Sequence, residues 1–133
     1  MAPDRATIGR FLRFGLVGVA GFVVDAGLTQ GLVDLAHVPP LIARIPAFAA
    51  AVLTTWALNR RFTFADRGSA PAARQFLAFL GSALIAGAVN YAVFAAVTVL
   101  TPLGQWPAAG VALGSVAGWI VNFTIADRLV FRR

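Results

Sequence analysis

Arginine is the residue type best placed to do chemistry in this chain of 133 residues. All eleven basic residues are arginine, all five acids are aspartate, and the net charge is +6. A guanidinium presents a planar fork of donors that matches a phosphate bidentately. Arg10, Arg13, Arg60, Arg61, Arg74 and Arg128 all flank apolar stretches. They are expected to emerge at one membrane surface, and two readings stay open there. They either fix topology and touch lipid headgroups, or some of them form a collar that holds a phosphate.

The second feature is an acid where none is comfortable. Asp25 lies twelve residues after Arg13 inside an apolar run, about 18 Å deeper along a helix at 1.5 Å per residue. A carboxylate near the bilayer midplane costs at least about 2.5–3.5 kcal/mol to insert, so it marks a site until shown otherwise. The competing reading is a hydrogen-bonded aspartate that only ties helices together. Gly18, Gly21, Asp25 and Thr29 share one helical face, small and polar, which should point at protein or at a cavity. Asn90 lies on a similar face with Ala83, Ala86 and Gly87, as either an interhelical bond or a binding group. Asn59 and Asn122 are the further polar candidates near helix ends.

Other chemistry is excluded or left without parts. With no cysteine there is no disulfide, no thiolate nucleophile and no sulfur-ligated metal. The single His37 cannot build a zinc cluster. Gly15-x-x-Gly18-x-x-Gly21 has the wrong spacing and surroundings for a dinucleotide loop. No Ser-His-Asp set, paired glutamate or Walker motif is available, so no enzyme activity, metal or cofactor is expected. The arginines lie on no basic helix or groove-sized polar face, so nucleic acid is not expected as a partner either.

The elements that must position these residues are helices in a membrane. Apolar residues make up 59% of the chain and charged ones only 12%, with mean hydropathy +0.82; a soluble domain carries about 25% charged residues. Four apolar segments stand out, roughly 12–35, 41–58, 76–100 and 107–126. Each is close to the ~20 residues a helix needs to span a bilayer core, and none shows the alternation of a barrel strand. The first follows Arg5, Arg10 and Arg13 like a signal sequence, but it runs past Asp25 and is read as a retained helix. Proline marks the breaks, at Pro39-Pro40 and at Pro102, and Pro46 either bends the second segment or begins it. The expected fold is an all-α transmembrane protein of four helices, a single domain over 1–133 built from hairpins of about 10–64 and 74–131.

Ten arginines fall on one side of these segments and only Arg44 on the other, so both termini are expected in the cytoplasm of a bacterial inner-membrane protein. Trp56 and Trp106 suit the two interfaces. The halves also resemble each other. Phe11-Leu12-Arg13-Phe14 matches Phe76-Leu77-Ala78-Phe79 at an offset of 65, which also lays Asp25 on Asn90. Arg61-Phe62-Thr63-Phe64 matches Arg128-Leu129-Val130-Phe131 at an offset of 67. Such hairpins enter from the same side, as parallel repeats about an axis along the membrane normal. Gly110, Gly114 and Gly118 form a double GxxxG ridge for a helix contact, within the chain or across a homodimer, with Gly27 and Gly31 as a weaker candidate.

Several of these residues, in this order, carry a family resemblance. Arg13-Phe14-x-x-Val17-Gly18 leading to Asp25, and Leu58-Asn59-Arg60-Arg61-Phe62-Thr63-Phe64, resemble the GtrA family of small four-helix membrane proteins. Arg74-Gln75-Phe76 and Asn122-Phe123 leading to Arg128-x-x-Phe131 fit its second half. The resemblance implies a flippase that carries a polyprenyl-phosphate-linked sugar, such as one on undecaprenyl phosphate, to the outer leaflet for polysaccharide synthesis. It also implies work alongside a membrane glycosyltransferase. In that role the arginines would hold the phosphate, and Asp25 and Asn90 would meet the sugar in transit. Two other readings remain: a non-transporting scaffold for the transferase, and a proton-coupled exporter of the small multidrug-resistance type, which the arginine bias disfavours.

Overall fold

The computed structural model describes residues 2–67, 70–105 and 107–131. Expectations for Gly68, Ser69, Trp106, Arg132 and Arg133 lie outside these residues. The described residues are helical with no strand, in four long helices: α1 (Arg5–Ala36), α2 (Pro40–Leu58), α3 (Ala72–Leu100) and α4 (Pro107–Ile125). By length and hydropathy, Arg5–Ala36, Ile42–Thr63 and Ala72–Leu100 can each cross a membrane. Helix α4 has 19 residues, about 28 Å at 1.5 Å each. In hydrocarbon a backbone must satisfy its own N–H and C=O groups, and an unbroken helix does so.

Helix α1 starts seven residues before the apolar segment does. Asp4 caps it by accepting from the Thr7 backbone N–H at 2.7 Å, which satisfies one of the four orphan donors of a helix start. At the other end His37 adopts a left-handed conformation (φ 53°), and the Val38 N–H returns to the Leu32 carbonyl at 3.0 Å. Pro39 and Pro40 then stop α1, and Pro40 opens α2 at a position where a missing N–H costs nothing. Pro46 stays inside α2, so it does not mark the beginning.

The chain divides into two compact units, one ending at 69 and the other beginning at 70. In the first, α1 packs on α2 and buries Arg10, Phe14, Val17 and Gly21 along one face. The facing residues of α2 are alanines: Ala43, Ala47 and Ala51 are buried. In the second unit α3 packs on α4 and buries Gln75, Phe79, Ser82 and Ala86, while α4 buries Gly110, Gly114 and Gly118. Small residues at every fourth position let backbones approach closely, which is how helices associate where lipid removes the hydrophobic driving force.

The glycine ridge is therefore used within the chain. A Cβ at Gly114 would stand 2.5 Å from both the carbonyl and the side-chain oxygen of Asn90, and one at Gly118 would stand 2.8 Å from the Ala86 carbonyl. Covered by α3, the ridge is no open seam for a second copy. Gly27 and Gly31 form no such contact, since a Cβ at either would meet nothing within 4 Å. The outward faces are apolar: Leu16 and Phe22 are each 71% exposed, which suits lipid and would be unfavourable in water.

These contacts separate two substitutions. Gly114→Val should destabilise the purified protein by about 2 kcal/mol or more, because its neighbour is backbone that cannot yield. Gly31→Ala should be neutral or stabilise by up to about 1 kcal/mol through helix propensity. Equilibrium unfolding in mixed micelles measures both.

Candidate functional site

Helices α2 and α4 both end in a widened turn that the sequence pattern does not announce. Asn59–Thr63 and Ala126–Val130 are single π-helical turns, closed by Phe64 N–H to the Asn59 carbonyl at 2.8 Å and Phe131 N–H to the Ala126 carbonyl at 2.9 Å. Such turns insert one residue into a helix and recur at functional positions. The closing phenylalanines are fully buried. Phe64 meets Phe14 edge-on at 6.3 Å, and Phe131 meets Phe79 edge-on at 6.1 Å, the geometry favoured by the ring quadrupole.

These turns carry the basic residues. Arg61 and Arg128 each occupy the third position of their π-turn, and both are exposed. In the first unit, Arg13 is also exposed and donates to the Phe62 carbonyl at 3.2 Å, which brings it beside the turn. The Arg60 guanidinium lies 5.7 Å from the Trp56 ring and that of Arg61 lies 5.7 Å from Phe62, both within cation–π range. Arg10 differs from the rest. It is buried at 8% exposure and donates to the Thr7 hydroxyl at 3.3 Å, so a phosphate would have to displace packed groups to reach it. In the second unit, Arg74 is exposed in the first turn of α3.

Asp25 is not a lone acid. Its Oδ2 accepts from Arg44 Nη2 at 3.1 Å, and its Oδ1 accepts from the Thr29 hydroxyl at 3.4 Å. The Asp25 side chain is 20% exposed and that of Arg44 62%. An ion pair offsets the cost of placing either charge alone in a low-dielectric region. Arg44, counted from sequence as a topology charge, is thus the functional candidate that sequence reasoning missed. The partners are 19 residues apart on different helices, so helical periodicity cannot join them.

Asn59 and Asn122, expected as transit groups, use their side-chain oxygens locally. Asn59 is 1% exposed and accepts from the Thr63 hydroxyl at 2.7 Å, inside the π-turn. Asn122 accepts from the buried Ser82 hydroxyl at 2.6 Å, linking α4 to α3. Asn90 is half-buried. With Gly87, Tyr91, Phe94 and Ser115 it lines an open groove of about 340 Å³ on the α3–α4 unit. One amide and two hydroxyls in an otherwise apolar wall suit a ligand that is part polar and part hydrocarbon. Tyr91 and Ser115 carried no distinguishing signal in the sequence.

The Ser82–Asn122 bond provides a check on the second unit. Ser82→Ala should cost about 1 kcal/mol by leaving the Asn122 oxygen unsatisfied. Ser82→Ala combined with Asn122→Leu should recover much of that loss, as read by a double-mutant cycle of unfolding free energies.

No curated protein matches the chain. The family model of the GtrA/DPMS transmembrane domain does, over residues 13–131. That span includes Asp25, Arg44, both π-turns and the glycine ridge. A match over almost the whole chain, on helices apolar enough to span a membrane, places this multi-pass membrane protein in the GtrA/DPMS transmembrane-domain family, whose setting is the metabolism of lipid-linked sugars.

Proposed function

We propose that the protein is a flippase that moves a polyprenyl-phosphate-linked sugar, carried on undecaprenyl phosphate, from the cytoplasmic to the outer leaflet of a bacterial inner membrane. Both termini lie in the cytoplasm, and the chain acts by transport rather than by catalysis. The single observation that carries the reading is the exposed guanidinium at the third position of each π-turn, Arg61 and Arg128. They sit on rigid, aromatic-closed corners in a family tied to lipid-linked sugars, and each offers a fork that fits a phosphate. Arg13 and Arg74 supply further exposed charge, one in each unit.

In this reading the units are parallel repeats of one helical hairpin. The buried positions support it: Arg10, Phe14, Val17 and Gly21 precede Gln75, Phe79, Ser82 and Ala86 by 65 residues each. Ala43, Ala47 and Ala51 precede Gly110, Gly114 and Gly118 by 67. The groove with Asn90 and Tyr91 suits the sugar or the first isoprene units during passage. A proton-coupled exporter is less suited, because proteins of that type insert in both orientations with a weak arginine bias, whereas ten arginines here fall on one side and only Arg44 on the other.

Reconstitution tests the reading. The purified chain in liposomes should speed the exposure of a labelled undecaprenyl-phosphate sugar to an impermeant reagent. Arg61→Gln or Arg128→Gln should slow that exposure roughly tenfold, the loss of about one charge-assisted hydrogen bond. If no lipid crosses, while the chain still stimulates a partner glycosyltransferase, a scaffold role replaces transport.

A further inference from the structure

We propose that Arg44 is a second phosphate site, in the half of the α1–α2 unit away from the π-turn, and that Asp25 is its resting counter-ion. The proposal deepens the flippase reading and rests on it, because it supplies a station for the lipid phosphate beyond the π-turn arginines.

The geometry makes the ion pair exchangeable rather than locked. Asp25 takes one donor of the guanidinium, at 3.1 Å from Nη2, out of the five N–H groups that an arginine carries. The Arg44 side chain is 62% exposed, while its partner is largely covered and retains the Thr29 hydroxyl at 3.4 Å. The fork therefore faces outward with donors to spare, and its counter-charge stays behind in the protein.

The second helix pair packs without a matching ion pair. At the offset that aligns the buried faces of α1 and α3, Asp25 falls on Asn90. At the offset that aligns α2 with α4, Arg44 falls on Val111. Both charges are thus absent together from the second unit. That unit still forms the same small-residue helix contact, the same π-turn and the same edge-on aromatic corner. A pair that one unit carries and the other folds without is available for a role beyond holding two helices together. An exposed arginine paired with a largely covered aspartate, both placed in helices at a cost to insertion, is explained when an anion visits the arginine.

The ligand chemistry is a phosphate ester presented by a lipid, because Arg44 is exposed on a helix whose exposed neighbouring side chains, Ile42 and Ile45, are apolar, in a family tied to lipid-linked sugars. A polyprenyl phosphate and an ordinary anionic phospholipid share that chemistry. The test uses the full chain in phosphatidylcholine nanodiscs, with undecaprenyl phosphate, phosphatidylglycerol and inorganic phosphate titrated separately and binding read by native mass spectrometry. Arg44→Gln should weaken lipid-phosphate binding roughly tenfold, a loss of about 1.4 kcal/mol. Asp25→Asn should strengthen it, since the competing carboxylate is gone, and Asp25→Asn with Arg44→Gln should match Arg44→Gln alone. Whichever lipid shows this pattern more strongly identifies the source, and inorganic phosphate should bind weakly. If both single variants change melting temperature together while lipid-phosphate affinity stays at the wild-type value, the pair is structural and the inference fails. Binding that falls with Arg61→Gln but ignores Arg44→Gln overturns this site and leaves the flippase reading intact. Wild-type protein that binds no polyprenyl phosphate overturns both.

Discussion

Close approach of two helix backbones along a stripe of small residues is the contact on which the rest of each unit depends. Lipid tails are as apolar as leucine, so large side chains gain little by turning inward, and dispersion between tightly fitted backbones has to replace the hydrophobic effect. Ala43, Ala47 and Ala51 provide the stripe in α2, and Gly110, Gly114 and Gly118 provide it in α4. Beyond the stripe, the buried Phe64 and Phe131 pack edge-on against Phe14 and Phe79. The π-turns close at these phenylalanines. One extra residue in the ring turns each phenylalanine into the unit, and the arginines of the same turn remain on the surface.

The two units differ in their polar content. The first holds a paired acid and base where the second holds an amide and an aliphatic residue. The second has glycine where the first has alanine, and that leaves room for Asn90 to sit directly on the neighbouring backbone. The family tie to lipid-linked sugars gives these differences a chemical setting: the first unit adds the Asp25–Arg44 ion pair, and the second an uncharged groove lined by Asn90 and Tyr91.

Much of the fold was legible because hydropathy and proline act over short distances. The stops at Pro39-Pro40 and Pro102 were readable, and so were the extents of α2 and α4 to within one residue. The start of α1 was harder, since a hydropathy boundary marks the edge of lipid while the Asp4 cap marks the edge of the helix. The π-turns were invisible, because a one-residue change of register leaves no periodic trace over five residues. At the site, the exposed Arg13, Arg61, Arg74 and Arg128 were legible from composition and counting, whereas the buried Arg10 was not told apart from them. The Asp25–Arg44 pair, the Ser82–Asn122 bond and the alanine stripe of α2 are tertiary facts. A lone arginine there reads as a topology signal, and alanine reads as generic filler.

The unequal lengths of the paired helices have a mechanical consequence. From Phe14 to its end α1 covers 23 residues, about 34 Å, and α3 from Phe76 covers 25, about 37 Å, whereas α2 covers 19, about 28 Å. A bilayer core is about 30 Å thick, so α1 and α3 have length to spare where α2 spans it with little. The excess leaves α1 and α3 room to tilt, and packing against the shorter partner sets how far.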